Sequence, residues 1–264
     1  MRTLLLALLI ALPASTWAQT EADEEGRPRL IDVPQLSPQE QFRLCMTQAT
    51  ASPAAALIEA ERWELEGGGN LARECAATAL ANDNAFAAAA RRFEALGREL
   101  AEIDPEYASD LYREAGRLWL REGFAQRAVW VLESASELVE VSPQLLVERA
   151  RARHALDDDA GALEDLTQAA ELAPDRPDLL ALRASALRRL NMNDEAVDDL
   201  TRAIEVGGDF AELTLERGIV RVRQGDSEGA RLDFQSVLDE APDSISAEIA
   251  RREIERLDHS ADAS

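Results

Sequence analysis

The sequence PQLLVERARARHALDDDAGALEDLTQAAELAPDR, at residues 143–176, sets a pattern that its neighbours repeat. Residues 177–210 and 211–244 follow it in register, and residues 109–142 precede it. One alanine marks each copy, and these alanines recur at equal intervals as Ala128, Ala162, Ala196 and Ala230. A period of about 34 residues, with two apolar stripes per copy separated by a short polar or glycine-bearing turn, is typical of stacked pairs of α-helices.

Small side chains predict where the two helices of each copy touch. Twelve residues before the marker alanines lie Gly116, Ala150, Ala184 and Gly218, and four residues after them lie Leu132, Leu166, Leu200 and Phe234. Glycine and alanine allow helix axes to approach to about 8–10 Å, and larger side chains would hold them apart. Two further apolar positions complete the predicted core: Leu111, Leu145, Leu179 and Leu213, and Ala135, Ala169, Ala203 and Val237.

This pattern resembles the tetratricopeptide-repeat (TPR) family, in which pairs of antiparallel helices stack into a right-handed superhelix with a concave groove. The resemblance covers residues 109–244, and Pro174 and Pro242 stand where the family usually ends the second helix. It implies an all-α fold, an α-solenoid of about six stacked helix pairs with a C-terminal capping helix. It also implies a protein whose work is binding other proteins rather than catalysis.

The remaining chain is divided by composition. Residues 38–104 read as two degenerate helix pairs, residues 245–258 as the capping helix and residues 259–264 as a frayed tail. The interval from Ala88 to Ala128 is longer than the regular one by six positions, so we infer an insertion around residues 101–105. We expect the insertion either to bend the solenoid or to separate two halves.

The segment at residues 19–37 is acidic, contains prolines and has no periodicity. These features predict a disordered lead-in. It is either a plain tether or a short clip in which Leu30, Ile31 and Val33 hold the first helices.

Three arginine–aspartate pairs share the same spacing in sequence, which leads from the middle of a first helix to the middle of the second. They are Arg149 with Asp165, Arg183 with Asp199, and Arg217 with Asp233. In the copy at residues 109–142 the same positions hold Ala115 and Val131. Because both charges are present or both are absent, we predict partly buried structural ion pairs in three copies and an apolar contact in the fourth.

Residues 1–18 have the form of a secretory signal peptide. A charge at Arg2 is followed by an unbroken apolar run from Leu4 to Leu12 and by small residues ending at Ala18. An apolar run of this length is too short to span a bilayer, which takes about 20 residues. The sequence therefore predicts a soluble, exported protein without a membrane span, and a bacterial periplasm as its location.

The strongly negative net charge of the chain makes some classes of partner unfavourable. The formal net charge is −23, with 28 basic residues that are all arginine and 51 acidic ones. Such a surface disfavours nucleic acid and anionic membranes.

Cys45 and Cys75, the two cysteines of the chain, fall on the first helices of neighbouring pairs. An oxidising compartment would favour a disulfide between them, and the alternative is two buried thiols that serve as small apolar residues. We predict no metal site, because His154 and His259 are the only histidines and neither has suitable spacing.

The sequence contains none of the common motifs of catalytic, metal-binding or cofactor-binding sites. It lacks a nucleophile elbow, a phosphate-binding loop, a zinc-binding histidine pair and a dinucleotide fingerprint. We therefore expect no catalytic residues and no cofactor, and a helical hydrolase would need a nucleophile and a base that are not evident.

The resemblance implies a binding surface on the first helices, on the face away from the second helices. Carried onto this chain, that face holds Arg113, Arg117, Arg121, Arg151, His154, Arg188, Arg189 and Arg223. Such a strip suits an extended acidic peptide or a carboxylate terminus. The alternative is that these side chains only neutralise neighbouring carboxylates. The asparagines and lysines of the two-carboxylate clamp found in heat-shock co-chaperones are absent.

Two functional hypotheses follow. The first is a periplasmic adaptor or scaffold that holds a protein or peptide in the arginine-lined groove, in the service of cell-envelope assembly. The second is a structural or self-associating module that uses an outer apolar face, with Trp130 and Val129 as its exposed residues. The oligomeric state and the identity of the partner do not follow from the sequence.

The signal-peptide assignment predicts the mature N-terminus. When the full chain is expressed in a host with a periplasm, Edman sequencing and intact mass should show a chain that begins at Gln19. A periplasmic chain that retains Met1 would contradict this assignment.

Overall fold

A computed structural model describes residues 21–22, 28–29 and 36–262 of the chain. The last of these ranges contains thirteen helices: α1 (Pro38–Ala51), α2 (Pro53–Leu65), α3 (Gly69–Asn82), α4 (Phe86–Leu100), α5 (Pro105–Arg121), α6 (Ala125–Leu138), α7 (Pro143–His154), α8 (Asp159–Leu172), α9 (Pro177–Arg189), α10 (Asn193–Glu205), α11 (Phe210–Gln224), α12 (Ser227–Glu240) and α13 (Ile245–Asp262). The predicted signal peptide at residues 1–18 lies outside the described residues.

The chain divides into a segment that ends at Gln41 and a helical body from Phe42 onward. In the first segment, β1 (Glu21–Ala22) pairs antiparallel with β2 (Pro28–Arg29), so Glu21 faces Arg29 across the ladder. The sequence predicts no regular structure there, and two-residue strands are too short to show an alternating pattern.

A left-handed residue ends the first helix of every regular copy. Positive φ angles occur at Gly123, Asp157, Asn191 and Gly225, at the same interval as the marker alanines. In each case the next backbone N–H donates to the carbonyl five residues earlier, as from Asp226 to Arg221. This is the hydrogen bond that closes a Schellman cap, and it favours glycine or asparagine at the left-handed position. The repeat period is therefore fixed by turn geometry as well as by packing.

The predicted helix–helix contacts are present and tight. A Cβ atom added at Gly116 would lie 2.6 Å from Leu132 Cγ, and one added at Gly218 would lie 2.5 Å from Phe234 Cε1. All of the apolar positions that repeat with the marker alanines are buried. Helices pack chiefly against their neighbours in sequence, which gives a stack of antiparallel pairs.

The residues inserted before the first regular copy do not separate the body into halves. They mainly lengthen α5, which has 17 residues where α7 has 12. One core cluster runs through this junction, from Ala77 on α3 to Ala152 on α7. An added helical turn keeps every backbone group hydrogen-bonded, which a loop of the same length would not do.

The last helix is longer than the sequence predicts. It begins after Ser244, whose hydroxyl accepts from the N–H of Ala247, and it covers Phe234 and Val237 with Ala247 and Ala250. The predicted tail at residues 259–264 is wrong as far as Asp262, because the helix continues to that residue. No glycine or proline follows Leu257 to stop it.

Cys45 on α1 and Cys75 on α3 form a disulfide, with their Cα atoms 6.1 Å apart. Around it lies a small cluster that includes Ala60 and Ala76. Side chains as small as alanine bury little apolar area, so a covalent link here supplements a thin core.

Reduction of this disulfide should destabilise the protein. The bond closes a loop with a sequence separation of 30 residues, for which the loss of loop-closure entropy predicts about 3 to 4 kcal/mol. Urea unfolding with and without dithiothreitol measures the difference. The Cys45→Ala/Cys75→Ala variant is the control and should respond to dithiothreitol no more than background, whereas equal stability of the oxidised and reduced wild type would contradict the prediction.

Candidate functional site

Three depressions follow one another along the first helices α5, α7, α9 and α11. The one between α5 and α7 has a volume of about 330 Å³, the one between α7 and α9 about 120 Å³, and the one between α9 and α11 about 230 Å³. Val147 and Arg151 line both the first and the second, and Leu182 and Ser185 line both the second and the third. Because neighbours share walls, the three form a row along these helices, which we refer to as the groove.

The middle of this groove is apolar. Ala150, Ala162, Leu166, Leu182 and Ala186 line the second depression. Ala150 and Leu166 are the pair at which α7 and α8 touch, so the repeat core itself forms part of the floor. A side chain of modest size could be buried there against aliphatic carbon.

Carboxylates neutralise the α5 end of the predicted arginine strip. Arg113 donates from Nε and Nη2 to Glu148, at 2.8 and 3.2 Å, and Arg117 forms an ion pair with Glu114 on its own helix. The hydrogen bonds from Arg113 to Glu148 raise the pKa of that guanidinium. Arg121 lies over the Phe86 ring, 4.2 Å from its centroid.

A second cluster ties α7, α8 and α9 together. His154 Nδ1 lies 2.7 Å from Asp159 Oδ1, and Arg189 Nε donates to the same carboxylate at 2.8 Å. Desolvation of Asp159 opposes its ionisation, but the hydrogen bonds from Arg189 and His154 outweigh it and hold its pKa below the ordinary value. Asp157 also accepts from Arg189. The pair His154 and Arg189 is thus engaged within the protein.

The remaining members of the strip differ in how they are held. Arg188 Nε is 3.8 Å from Glu216, beyond hydrogen-bond distance, and is a buried donor without an acceptor among the described residues. Arg223 donates to the side-chain oxygen of Asn191. Arg151 is exposed and has no ion pair or hydrogen bond from its side chain to any residue in the described part of the chain. Arg121 also lacks a carboxylate partner but lies over Phe86, whereas Arg151 has neither a carboxylate nor an aromatic partner in the described part of the chain. Arg151 lies at the junction of two depressions.

Buried ion pairs hold the first helices whose other faces line the groove. Nη2 of the arginine lies 2.5 Å from the carboxylate in Arg149–Asp165 and in Arg183–Asp199, and 2.7 Å in Arg217–Asp233. The three aspartates are buried. Hydrogen bonds to these carboxylates raise the pKa of Arg149 and of Arg183. At the equivalent apolar positions, Ala115 and Val131 are fully buried.

Two of these aspartates also form an ion pair with a second arginine, which the sequence analysis missed. Arg153 lies 3.2 Å from Asp165, and Arg221 lies 2.7 Å from Asp233. Each follows the first arginine of its pair by four residues, one helical turn later on the same face. The middle copy has Leu187 at this position, so Asp199 relies on Arg183 alone. The spacing of four residues between the two arginines of each pair was the sequence signal that could have revealed the second arginine.

Another buried acid was also missed. Glu94 on α4 is 2% exposed and accepts hydrogen bonds from Arg98, Arg127 and Trp119.

The predicted outer apolar face is only partly present. Trp130 is exposed on α6, but Val129 is buried, so the prediction of Val129 as an outer-face residue is wrong. Successive residues of a helix point about 100° apart, and the face of Val129 is turned into the core.

Two kinds of feature are absent from residues 36–262. No helix among them combines the length and the hydropathy that a bilayer crossing requires. Their histidine, cysteine, aspartate and glutamate side chains form no group of three or more that is arranged to hold a metal ion.

Comparisons with known proteins place the fold. No family model matches the chain, and no curated protein matches its sequence. Among solved structures, the TPR protein YrrB, described as having an unusual peptide-binding site, superposes with a TM-score of 0.58 at 20% identity, over 73% of this chain and 96% of its own. MamA from Desulfovibrio magneticus RS-1 gives 0.56 at 19% identity, over 64% and 93%. The anaphase-promoting-complex assembly Cut9–Hcn1 gives 0.55 at 16% identity, over 82% and 42%.

The fold is therefore that of a TPR solenoid. The predicted all-α architecture of stacked antiparallel helix pairs is confirmed, and the resemblance read from the regular repeat period is confirmed with it. At these levels of identity the likeness establishes the fold alone.

The pair Arg183 and Asp199 tests how the first helices are held. Arg183→Ala should cost about 3 to 5 kcal/mol of unfolding free energy, because it leaves a buried carboxylate without its guanidinium. Arg183→Ala/Asp199→Val, which copies the natural pair Ala115 and Val131, should recover most of that loss. Chemical denaturation measures both variants. Additive losses in the double variant would show that the two side chains do not act as a pair.

Proposed function

We propose that this protein is a non-enzymatic interaction scaffold that binds an extended segment of another protein along the groove of α5, α7, α9 and α11. The solenoid fold supports this reading because its first helices form a long continuous surface. The proposal rests chiefly on Arg151, an exposed cation without a partner in the described chain, where two depressions meet.

The groove favours one carboxylate rather than a run of them. Arg113, Arg117 and Arg189 already engage carboxylates of this chain, and Asp178, Glu212 and Glu216 also line the groove. A strongly acidic peptide would meet these negative charges. Arg151 can offer a bidentate pair to a single aspartate, glutamate or C-terminal carboxylate.

Apolar contacts supply the second half of recognition. The depression beside Arg151 is lined by Leu166, Leu182 and Ala186, and it takes a side chain of the peptide close to the carboxylate. Burial of apolar area contributes affinity, and the charged contact fixes position along the groove. The preferred ligand is thus an extended segment with a small or medium apolar residue near one acidic residue.

We place this activity in a bacterial periplasm, in cell-envelope assembly. The support is the form of residues 1–18, which have the charged start, apolar run and small-residue end of a cleaved export signal. An oxidising compartment also agrees with a disulfide between Cys45 and Cys75.

Site-specific cross-linking tests the groove. A photo-reactive amino acid at Ser185, which lines two depressions, should form adducts with a partner in the native periplasm, and mass spectrometry identifies the partner segment. A synthetic peptide of that segment should then bind about tenfold more weakly to Arg151→Glu than to the wild type.

Arg62→Glu is the matched control, because Arg62 is an exposed arginine on α2, outside the groove. It should bind the peptide like the wild type. Equal binding by Arg151→Glu would remove Arg151 from the site, and the absence of any adduct at Ser185 would argue against a groove-bound partner altogether.

A further inference from the structure

A second surface of distinct chemistry lies on the second helices α4 and α6, away from the groove. Its residues are Arg98, Phe124, Gln126, Arg127 and Trp130, and we refer to them as the tryptophan patch. They surround an open depression of about 510 Å³ with Glu94 at its base. Trp130 is 47% and Phe124 53% exposed. Large aromatic side chains exposed around one depression are a feature of interaction surfaces.

Buried Glu94 fixes the two arginines of the patch. Its Oε1 accepts from Arg98 Nη2 and Arg127 Nη2, both at 2.8 Å, and its Oε2 accepts from Arg127 Nε at 2.9 Å. Trp119 Nε1 donates to the same oxygen at 3.2 Å. The Arg127 guanidinium also lies over the Trp119 ring. Three hydrogen bonds and a ring contact therefore hold these cations in place before any ligand arrives, and the fourth hydrogen bond, from Trp119, fixes the carboxylate.

The arginines keep donors for a ligand. Arg98 and Arg127 are each more than half exposed. Nη1 of Arg127, and Nε and Nη1 of Arg98, have no partner in residues 36–262. Two guanidiniums against one carboxylate leave the patch with a net positive charge in a chain of −23. An anionic group is therefore its complement.

We propose that the tryptophan patch is a second docking site, which binds a protein segment that carries a large apolar or aromatic side chain next to a carboxylate. The apolar side chain covers Trp130 and Phe124, and the carboxylate accepts from Arg98 and Arg127. A small anion alone would leave the aromatic half exposed. A second copy of this chain fits poorly, because a two-fold contact through the patch would set the arginines of each copy against those of the other.

Tryptophan indole resonances provide the test. After the predicted cleavage the chain keeps Trp63, Trp119 and Trp130, of which the first two are buried. In ¹⁵N-labelled protein, the Trp130 indole signal, assigned with Trp130→Tyr, should shift saturably with the probe acetyl-Gly-Phe-Glu-Glu-Gly-amide. The same peptide with glutamines in place of the glutamates should bind about fivefold more weakly.

Two variants make the test specific. Arg98→Gln leaves Glu94 with its bonds from Arg127 and Trp119, so it should fold normally and bind the glutamate peptide about fivefold more weakly. Arg62→Gln, equally exposed and paired within its own helix, should bind like the wild type. Arg151→Glu should also leave this titration unchanged, which separates the patch from the groove.

Several results would overturn the proposal. An unmoved Trp130 signal, equal binding of the glutamate and glutamine peptides, or equal binding by Arg98→Gln would each do so. So would sedimentation showing a dimer that Trp130→Ala dissociates, because the occupant would then be a second copy of the chain.

Discussion

In each regular copy, the first and second helices approach each other too closely for two large side chains to meet. Gly116 and Gly218 lie so near to Leu132 and Phe234 that an added Cβ would overlap those side chains. Such an approach leaves room for one small side chain on the first helix and one large one on the second. Because that arrangement recurs at the same place in every copy, each pair presents the same faces to its neighbours. The groove is a consequence of this regularity.

In three of the four regular copies, charged groups also lie at this interface. Asp165, Asp199 and Asp233 reach across from the second helices to arginines on α7, α9 and α11. Ion pairs in a desolvated setting tolerate little change in geometry, since each misplaced donor leaves a buried charge uncompensated. The opposite faces of these helices line the groove.

The sequence was most informative where the repeat period is regular. The recurring alanines Ala128, Ala162, Ala196 and Ala230, together with the small and apolar positions at fixed distances from them, were sufficient to predict helix pairs and their core. The net charge of the groove was harder to predict from the sequence. The partner of Arg113 lies 35 residues away, on the next copy, and the partner of Arg189 lies 30 residues away, on the preceding copy. Pairing between copies depends on rotamers and on the exact stacking angle, which a repeat pattern does not encode. Glu94 was missed for a different reason: it lies on α4, outside the regular copies, where no repeating pattern marks it.

The disulfide has a consequence for how the chain matures. Cys45 and Cys75 are the only cysteines, so oxidation within one molecule has a single product and no scrambled isomers to correct. A dithiol oxidase is sufficient, and a disulfide isomerase has no substrate in the monomer. Both thiols also precede residue 109, where the regular copies begin. The disulfide can therefore form in the N-terminal part of the chain before the later helices have been synthesised or exported. Those helices can then pack against an N-terminal part that is already folded.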